Sequence, residues 1–295
     1  MSVPAGEPAV ANTGGDISHR WDEAAEGWNQ HAAVIRAWLH EVTAAMLAAA
    51  RIRPGSRVLD IAAGAGDQTL DIARRVGAQG YVLATDISPR ILSLAHERAR
   101  AAGVLHVHTR VADAQALGLA GAGFDAAVCR LGLMFCRAPL DALTGAHAAL
   151  KPGGRFSAVV FSQPQRNPCL VALVSTALRH AGLPMRSPFE PGALLSLGEP
   201  GLLERLLQAA GFVGISVRPV SAPFRLPTCR HYIDFVRSSG SPIMAILAPL
   251  STAAQRDAWD DMTTQLNAFN TPAGWEGPNE LLLCAATSPE IVDGR

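Results

Sequence analysis

Apolar residues recur along this chain with two periods. Between residues 17 and 51 they return at three- and four-residue steps, through Trp21, Ala25, Trp28, Ala32 and Ile35, which predicts helix. Short apolar runs follow at 57–62, 80–85, 105–111, 124–130 and 155–161, each of a length that suits a buried strand. Helical segments at 67–76, 89–102 and 139–150 separate them. Strands alternating with helices of this length need right-handed crossovers, so a parallel sheet and a doubly wound α/β fold are expected. After residue 161 the alternation breaks. A proline-rich stretch, 163–201, holds one expected helix at 170–180. A helix at 201–210 then leads to a strand at 213–219, a second helical stretch covers 228–269, and a last strand covers 280–287. The expected organisation is a flexible tail (1–16), an N-terminal helical cap (17–56), a ligand-binding core (57–161), a lid insert (162–200) and a C-terminal part of the core (201–295) with a helical insert at 228–269.

Composition narrows the partners. Of 295 residues, 49% are hydrophobic and 17% charged, a globular balance. Lys+Arg and Asp+Glu number 25 each, and no basic run occurs. That argues against a strong grip on nucleic acid or anionic lipid, which needs clustered cations. The five cysteines form no CxxC pair and match no zinc spacing, so reduced, buried thiols, no metal and a cytoplasmic protein are expected. The first fifteen residues lack a basic segment followed by an apolar one, and are expected to be a tail rather than a secretory leader. No apolar run approaches the roughly 20 residues of a membrane span.

The chemistry concentrates in the first half. In a doubly wound sheet, ligands bind beyond the carboxyl ends of the strands at the switch point. The first strand carries Asp60 and ends in a glycine-rich turn containing Gly64 and Gly66, which lets backbone approach a ligand and presents the next helix's N–H groups. Asp86 ends the second strand, the position from which a carboxylate accepts hydrogen bonds from ribose hydroxyls. Asp113 follows the third strand, within reach of a base's exocyclic amine. The turn is not GxGxxG, and an acidic residue inside the strand before it suits a ligand bearing an ammonium group better than a pyrophosphate. An NAD oxidoreductase is therefore the weaker reading.

Five segments in succession, VLDIAAGAGDQTL (58–70), ATDISP (84–89), VADAQAL (111–117), FDAAVCRLGLMF (124–135) and LKPGG (150–154), resemble the motifs of class I S-adenosylmethionine-dependent methyltransferases. The flavour is that of the ubiquinone/menaquinone-biosynthesis C-methyltransferase-like group (methyltransferase type 11), whose YDxxAxxY entry motif resembles WDEAAEGW at 21–28. The resemblance covers about 21–161 and implies a Rossmann-like, mostly parallel, seven-stranded sheet with helical lid inserts. It implies that S-adenosylmethionine is the cofactor. Asp60, Ala62, Gly64, Gly66, Gln68 and Thr69 would hold its methionine moiety, Asp86 and Ile87 its ribose and adenine, Asp113 and Ala114 the adenine edge, and Arg130 and Leu131 would line the methionine side.

Two positions depart from that pattern. Ala62 stands where the turn usually starts with glycine. Met134 and Phe135 stand where quinone C-methyltransferases carry an Arg-Asn pair linked to proton removal, and an apolar pair cannot take that role. The inserts both follow strands whose ends face the cofactor, and they are rich in apolar residues, Leu170, Phe189, Phe235 and Met244, joined by Trp28, Phe135 and Trp275. A small, largely hydrophobic acceptor of secondary metabolism, methylated on oxygen or carbon by a monomer or homodimer, is expected. Trp28, Phe135, His180, Phe189, His231 and Trp275 are the candidate substrate contacts, and His31, directly after the entry motif, is the candidate base. The alternatives are a quinone C-methyltransferase and a non-methylating relative such as a pericyclase or sensor. A nucleic-acid or protein methyltransferase is disfavoured by the neutral charge and by Arg130-Leu-Gly-Leu where an NPPY-like tetrapeptide would stand.

Overall fold

The computed structural model describes residues 14–239 and 241–290. Most of the expected tail therefore lies outside the described residues, and helix already begins at Gly14. The elements run α1 (Gly14–Gln30), α2 (Ala32–Ala49), β1 (Arg57–Ile61), α3 (Asp67–Val76), β2 (Tyr81–Asp86), α4 (Pro89–Ala101), β3 (Val107–Val111), β4 (Phe124–Arg130), α5 (Pro139–Ala149), β5 (Leu150–Phe161), α6 (Pro168–His180), α7 (Leu202–Ala209), β6 (Val213–Ser221), β7 (Phe224–Leu226), α8 (Cys229–Ser239), α9 (Ser241–Leu247), α10 (Thr252–Leu266), β8 (Asn270–Thr271), β9 (Gly274–Gly277) and β10 (Glu280–Thr287).

Seven strands form one sheet in the order β3-β2-β1-β4-β5-β10-β6. β1 pairs in parallel with β2 and β4, β2 with β3, and β4 with β5; β10 runs antiparallel between β5 and β6. The chain leaves β3 at one edge and re-enters beside β1 as β4, so the order reverses at the β1–β4 pair. That is the crevice where open α/β sheets bind ligands. Burial on both faces explains why β1 and β4 read as near-continuous apolar runs. β5 begins at Leu150 rather than after the Lys-Pro-Gly-Gly turn, because its first residues already pair with Phe124.

The single long N-terminal helix expected from periodicity is two helices, broken at His31 (φ −94°, ψ 12°). The backbone bonds His31 N–H to Gly27 O (3.1 Å) and Ile35 N–H to His31 O (2.9 Å) bridge the break, which is why the apolar period runs through it unchanged. α2 buries Ile35, Leu39, Val42, Met46 and Leu47 against β5 and β10. This helix is long and apolar enough to cross a membrane by length and composition alone, although its apolar face packs on the sheet. The second helical stretch resolves into α8, α9 and α10, and three very short strands, too short to show a period, form a separate sheet in the order β7-β9-β8. All five cysteines are buried and unpaired.

Candidate functional site

At the carboxyl ends of β1, β2 and β4 the chain turns three times around one cavity of about 1120 Å³, its mouth included. The turn after β1 supplies Ala62, Gly64 and Gln68 to its wall; Asp86 and Ile87 come from the end of β2, Asp113 to Gln115 from the loop after β3, and Arg130 and Leu131 from the end of β4. Two non-glycine residues here hold left-handed backbone, Ala62 (φ 53°) and Leu131 (φ 57°). Such strain persists where the surroundings over-determine it, and it gathers at binding sites. The two turns lock together at Gly132, where an added Cβ would meet Ala62 Cβ at 2.4 Å. Gly64 (φ +57°) is the opposite case: a Cβ there would meet nothing within 4 Å, so bare backbone faces open cavity.

The carboxylates differ in how they are held. Asp86 is 8% exposed; its Oδ2 accepts from Gly64 N–H (3.0 Å) and its Oδ1 from Ser88 N–H (2.9 Å). Burial pushes its pKa up while the N–H groups of Ser88, Gly64 and Ile87 pull it back. Asp113 accepts from the backbone N–H of Gln115 (2.9 Å) and from its side-chain amide (3.2 Å), and the Gln115 amide oxygen in turn accepts from Ala138 N–H (2.8 Å). Arg130 donates to Thr43 Oγ1 (2.6 Å) and to Asp67 Oδ2 (2.9 Å), which fixes its guanidinium at the first turn of α3. The Cys136 thiol also lines the cavity, but burial pushes its pKa up to about 12, so it stays protonated.

Three residues expected in this wall stand behind it. Asp60 is fully buried, and its carboxylate accepts from Gln68 Nε2 and from Thr69 Oγ1 (2.6 Å). Both oxygens bond α3 and Asp60 lies outside the cavity lining, so it anchors the helix that carries Gln68. Burial raises its pKa to about 7, against the opposing pull of Thr69, Gln68 and Arg130. Thr69 points back to Asp60, and Gly66 is pressed against Ala95.

A second cavity, about 680 Å³, adjoins the first and is walled by helix faces. α2 contributes Trp38, α6 contributes Leu170 and Leu173, α8 contributes Tyr232, Phe235 and Val236, β5 ends in Phe161 and β7 begins with Phe224. Trp21, Trp28, Leu131 and Phe135 line both cavities and so form the partition between them. Within it the rings of Trp21 and Phe135 lie 5.0 Å apart, edge to face. The indole N–H groups are committed elsewhere: Trp28 donates to Ser239 O (3.1 Å) and Trp38 to Ala222 O (2.7 Å). The result is an aromatic, largely apolar chamber.

Of the expected substrate contacts, Trp28 and Phe135 stand in the partition and the other four lie outside both linings. His180 donates to Asp261 Oδ2 (3.0 Å) on α10 and, with Gln265 and Arg179, holds that carboxyl down at about 2. His231 is exposed and bonds Thr228 Oγ1 (2.8 Å) at the start of α8. Phe189 is half-buried in the loop after α6. Trp275 is 1% exposed, donates to Leu266 O (2.7 Å) and stacks behind Tyr232. His31 touches the chamber only through Phe235, whose ring it meets edge-on at 5.4 Å. These histidines occupy helix ends and ion pairs, which spacing along the chain does not reveal. Gln115, Trp38, Phe224 and Tyr232 also line the cavities and were not expected from the sequence. The three- and four-residue steps of Tyr232, Phe235, Val236 and Ser239 could have marked one face of α8, but not what it faces.

A model of the ubiE/COQ5 methyltransferase family matches residues 14–177. The chain is 39% identical over 117 residues to the ubiquinone/menaquinone biosynthesis C-methyltransferase UbiE of Teredinibacter turnerae, a match covering 39% of this chain and 47% of that protein. The chain thus spans about half the length of the curated relatives it matches. Among solved structures it is similar to the YcgJ protein of Bacillus subtilis (TM-score 0.57, 20% identity, 85% of this chain and 99% of the other). It is also similar to the [4+2]-cyclase SpnF (TM-score 0.57, 19% identity, 97% of this chain and 100% of the other). Likeness at this level shows a shared fold.

Proposed function

We propose, for a chain that belongs to the ubiE/COQ5 methyltransferase family, that it is an S-adenosylmethionine-dependent methyltransferase whose first cavity takes the cofactor and whose second takes a small, largely hydrophobic acceptor. The observation that carries this reading is the shared partition: a cavity edged by carboxylates and bare backbone abuts an aromatic one across Trp21, Trp28, Leu131 and Phe135. That arrangement suits transfer between a polar donor and an apolar acceptor.

The residues of the first cavity fit the cofactor. Asp86 keeps lone pairs toward the cavity for ribose hydroxyls, Asp113 and Gln115 suit an adenine edge, and Gly64 leaves the space a close-lying ligand needs. Arg130 and the first turn of α3 suit a carboxylate. When bound, S-adenosylmethionine supplies an electrophilic methyl carbon on a sulfonium. The protein's part is to orient and to exclude water. Leu131 and Phe135 hold the two chambers in register, and the aromatic walls of the second keep the acceptor desolvated.

The acceptor atom is an oxygen or a carbon, on an aromatic, polyketide or terpenoid-like molecule of secondary metabolism. A second reading, carbon methylation of a quinol ring, draws support from the UbiE relatives. Against it, Met134 and Phe135 offer no proton acceptor: Met134 is 1% exposed and its carbonyl takes a bond from Ser196 Oγ (2.7 Å). Incubation with methyl-labelled S-adenosylmethionine and, separately, a hydrophobic phenol and a prenylated hydroquinone tests both. Label on the phenol oxygen or ring supports the first reading, label on the hydroquinone carbon alone supports the second, and label on neither with intact cofactor binding contradicts methyl transfer to this class of acceptor.

A further inference from the structure

The aromatic chamber contains one side chain that its surroundings do not explain. Tyr232, on α8, is 2% exposed and lines the chamber, yet its hydroxyl makes no hydrogen bond to the protein among the described residues. The hydroxyl of a side chain this buried normally finds a protein partner; here the oxygen instead stays accessible. The ring cannot swing away to find one. It stacks on Trp275 at 4.6 Å with 22° between the planes, and it meets Phe224 edge-on at 5.3 Å. Trp275 is itself pinned by its bond to Leu266 O.

Most other polar donors of the wall are committed. The indole N–H groups of Trp28 and Trp38 go to backbone carbonyls, the Ser239 hydroxyl goes to Phe235 O, and one N–H of the Asn279 amide goes to Gly277 O (3.2 Å). A donor held rigid and unpaired, with its oxygen still accessible on a ring that is otherwise buried in an apolar cavity wall, is a place prepared for a ligand acceptor.

We propose that Tyr232 is the polar anchor of the acceptor site, donating its O–H to a carbonyl or phenolic oxygen on an otherwise apolar molecule. This rests on the reading of the second cavity as the acceptor chamber. It narrows that reading from any hydrophobic molecule to one carrying an oxygen function placed for Tyr232. Burial raises the Tyr232 pKa above its ordinary value, so the group is a neutral donor and not a base. Tyr232 therefore orients the acceptor, and the proton lost on methylation leaves by another route.

The test uses the full chain and two probes of one shape, 2-acetylnaphthalene, which has a carbonyl, and 2-isopropylnaphthalene, which has none. Binding is followed by quenching of the tryptophans that line the chamber. In Tyr232→Phe the acetyl probe should weaken roughly tenfold while the isopropyl probe stays within about twofold, the scale of one lost hydrogen bond. S-adenosylhomocysteine affinity in the variant should match the parent, which also shows that the variant is folded. A measurement on the unaltered protein stands independently of the variant: the carbonyl stretch of bound 2-acetylnaphthalene should fall below its position in hydrocarbon solvent. Equal weakening of both probes, or a stretch at the hydrocarbon position, would overturn the role of Tyr232 and leave the chamber reading intact. Failure of both probes to bind the unaltered protein would overturn the chamber reading and this proposal with it.

Discussion

The cavity around Asp86 is built by loops, and the cavity around Tyr232 by helix faces. In the first, the wall is largely backbone: left-handed turns at Ala62, Gly64 and Leu131, with carboxylates fixed by N–H groups one turn away. In the second, the wall is almost wholly side chain, drawn from α1, α2, α6, α8 and α9 and from the ends of β5 and β7. Backbone walls tolerate few substitutions, because each turn demands a particular φ and spacing. Side-chain walls can be resized one residue at a time. The contrast teaches how one fold can keep its cofactor and change its acceptor: the first cavity is set by the sheet edge, the second by whatever helices are laid across it.

Substitutions at the base of each cavity sharpen that contrast. The largest effect expected is at Asp60, which the loop-built cavity buries. With a pKa near 7 in the fold against an ordinary 3.8, the folded chain keeps a proton between those values that the unfolded chain has released. Its contribution is fully present below pH 4 and is lost as pH rises through 7, a swing of up to about 4 kcal/mol. Urea unfolding at successive pH values should show stability falling across that window in the parent and a flatter profile in Asp60→Asn. Next is Gly132→Val, which forces a Cβ to within 2.4 Å of Ala62 Cβ where the two turns lock. A stability loss of about 2–3 kcal/mol is expected, with binding impaired in both cavities, since Leu131 belongs to both.

Asp86→Ala should weaken S-adenosylhomocysteine by about 1–3 kcal/mol in calorimetric titration while naphthalene probes bind the other chamber as before. The smallest effect is the mirror image. Leu170→Trp, which adds bulk to the helix-built wall, should cut probe affinity by about 1 kcal/mol and leave S-adenosylhomocysteine affinity unchanged. If Leu170→Trp and Asp86→Ala each disturbed both ligands alike, the two cavities would be one site and the comparison would fail.

The same difference governs what could be read from the chain. β4 and β10 were readable residue for residue, because each is a continuous apolar run closed by polar neighbours. The wall of the first cavity was readable at Gly64, Asp86, Asp113 and Arg130, since a strand end followed by a turn places its own residues at the sheet edge. Asp60 was legible as an unusual acid inside a strand but not as a buried one. Its partners, Gln68 and Thr69, come into place only when α3 folds back. The wall of the second cavity is a product of tertiary packing between segments some two hundred residues apart, as the bond from Trp28 to Ser239 illustrates. Sequence marked the apolar supply, Trp28, Phe135, Leu170 and Phe235, yet it also offered Trp275 and His180, which packing turned away from the chamber.

On the proposed reading the loop-built cavity binds S-adenosylmethionine and no dinucleotide. Calorimetric titration of the purified chain with S-adenosylhomocysteine, alongside NAD, tests it most directly. Micromolar binding of the first, lost or much weakened in Asp86→Ala, with no heat from the second, is the predicted result. No binding of S-adenosylhomocysteine, or equal binding of NAD, would contradict it.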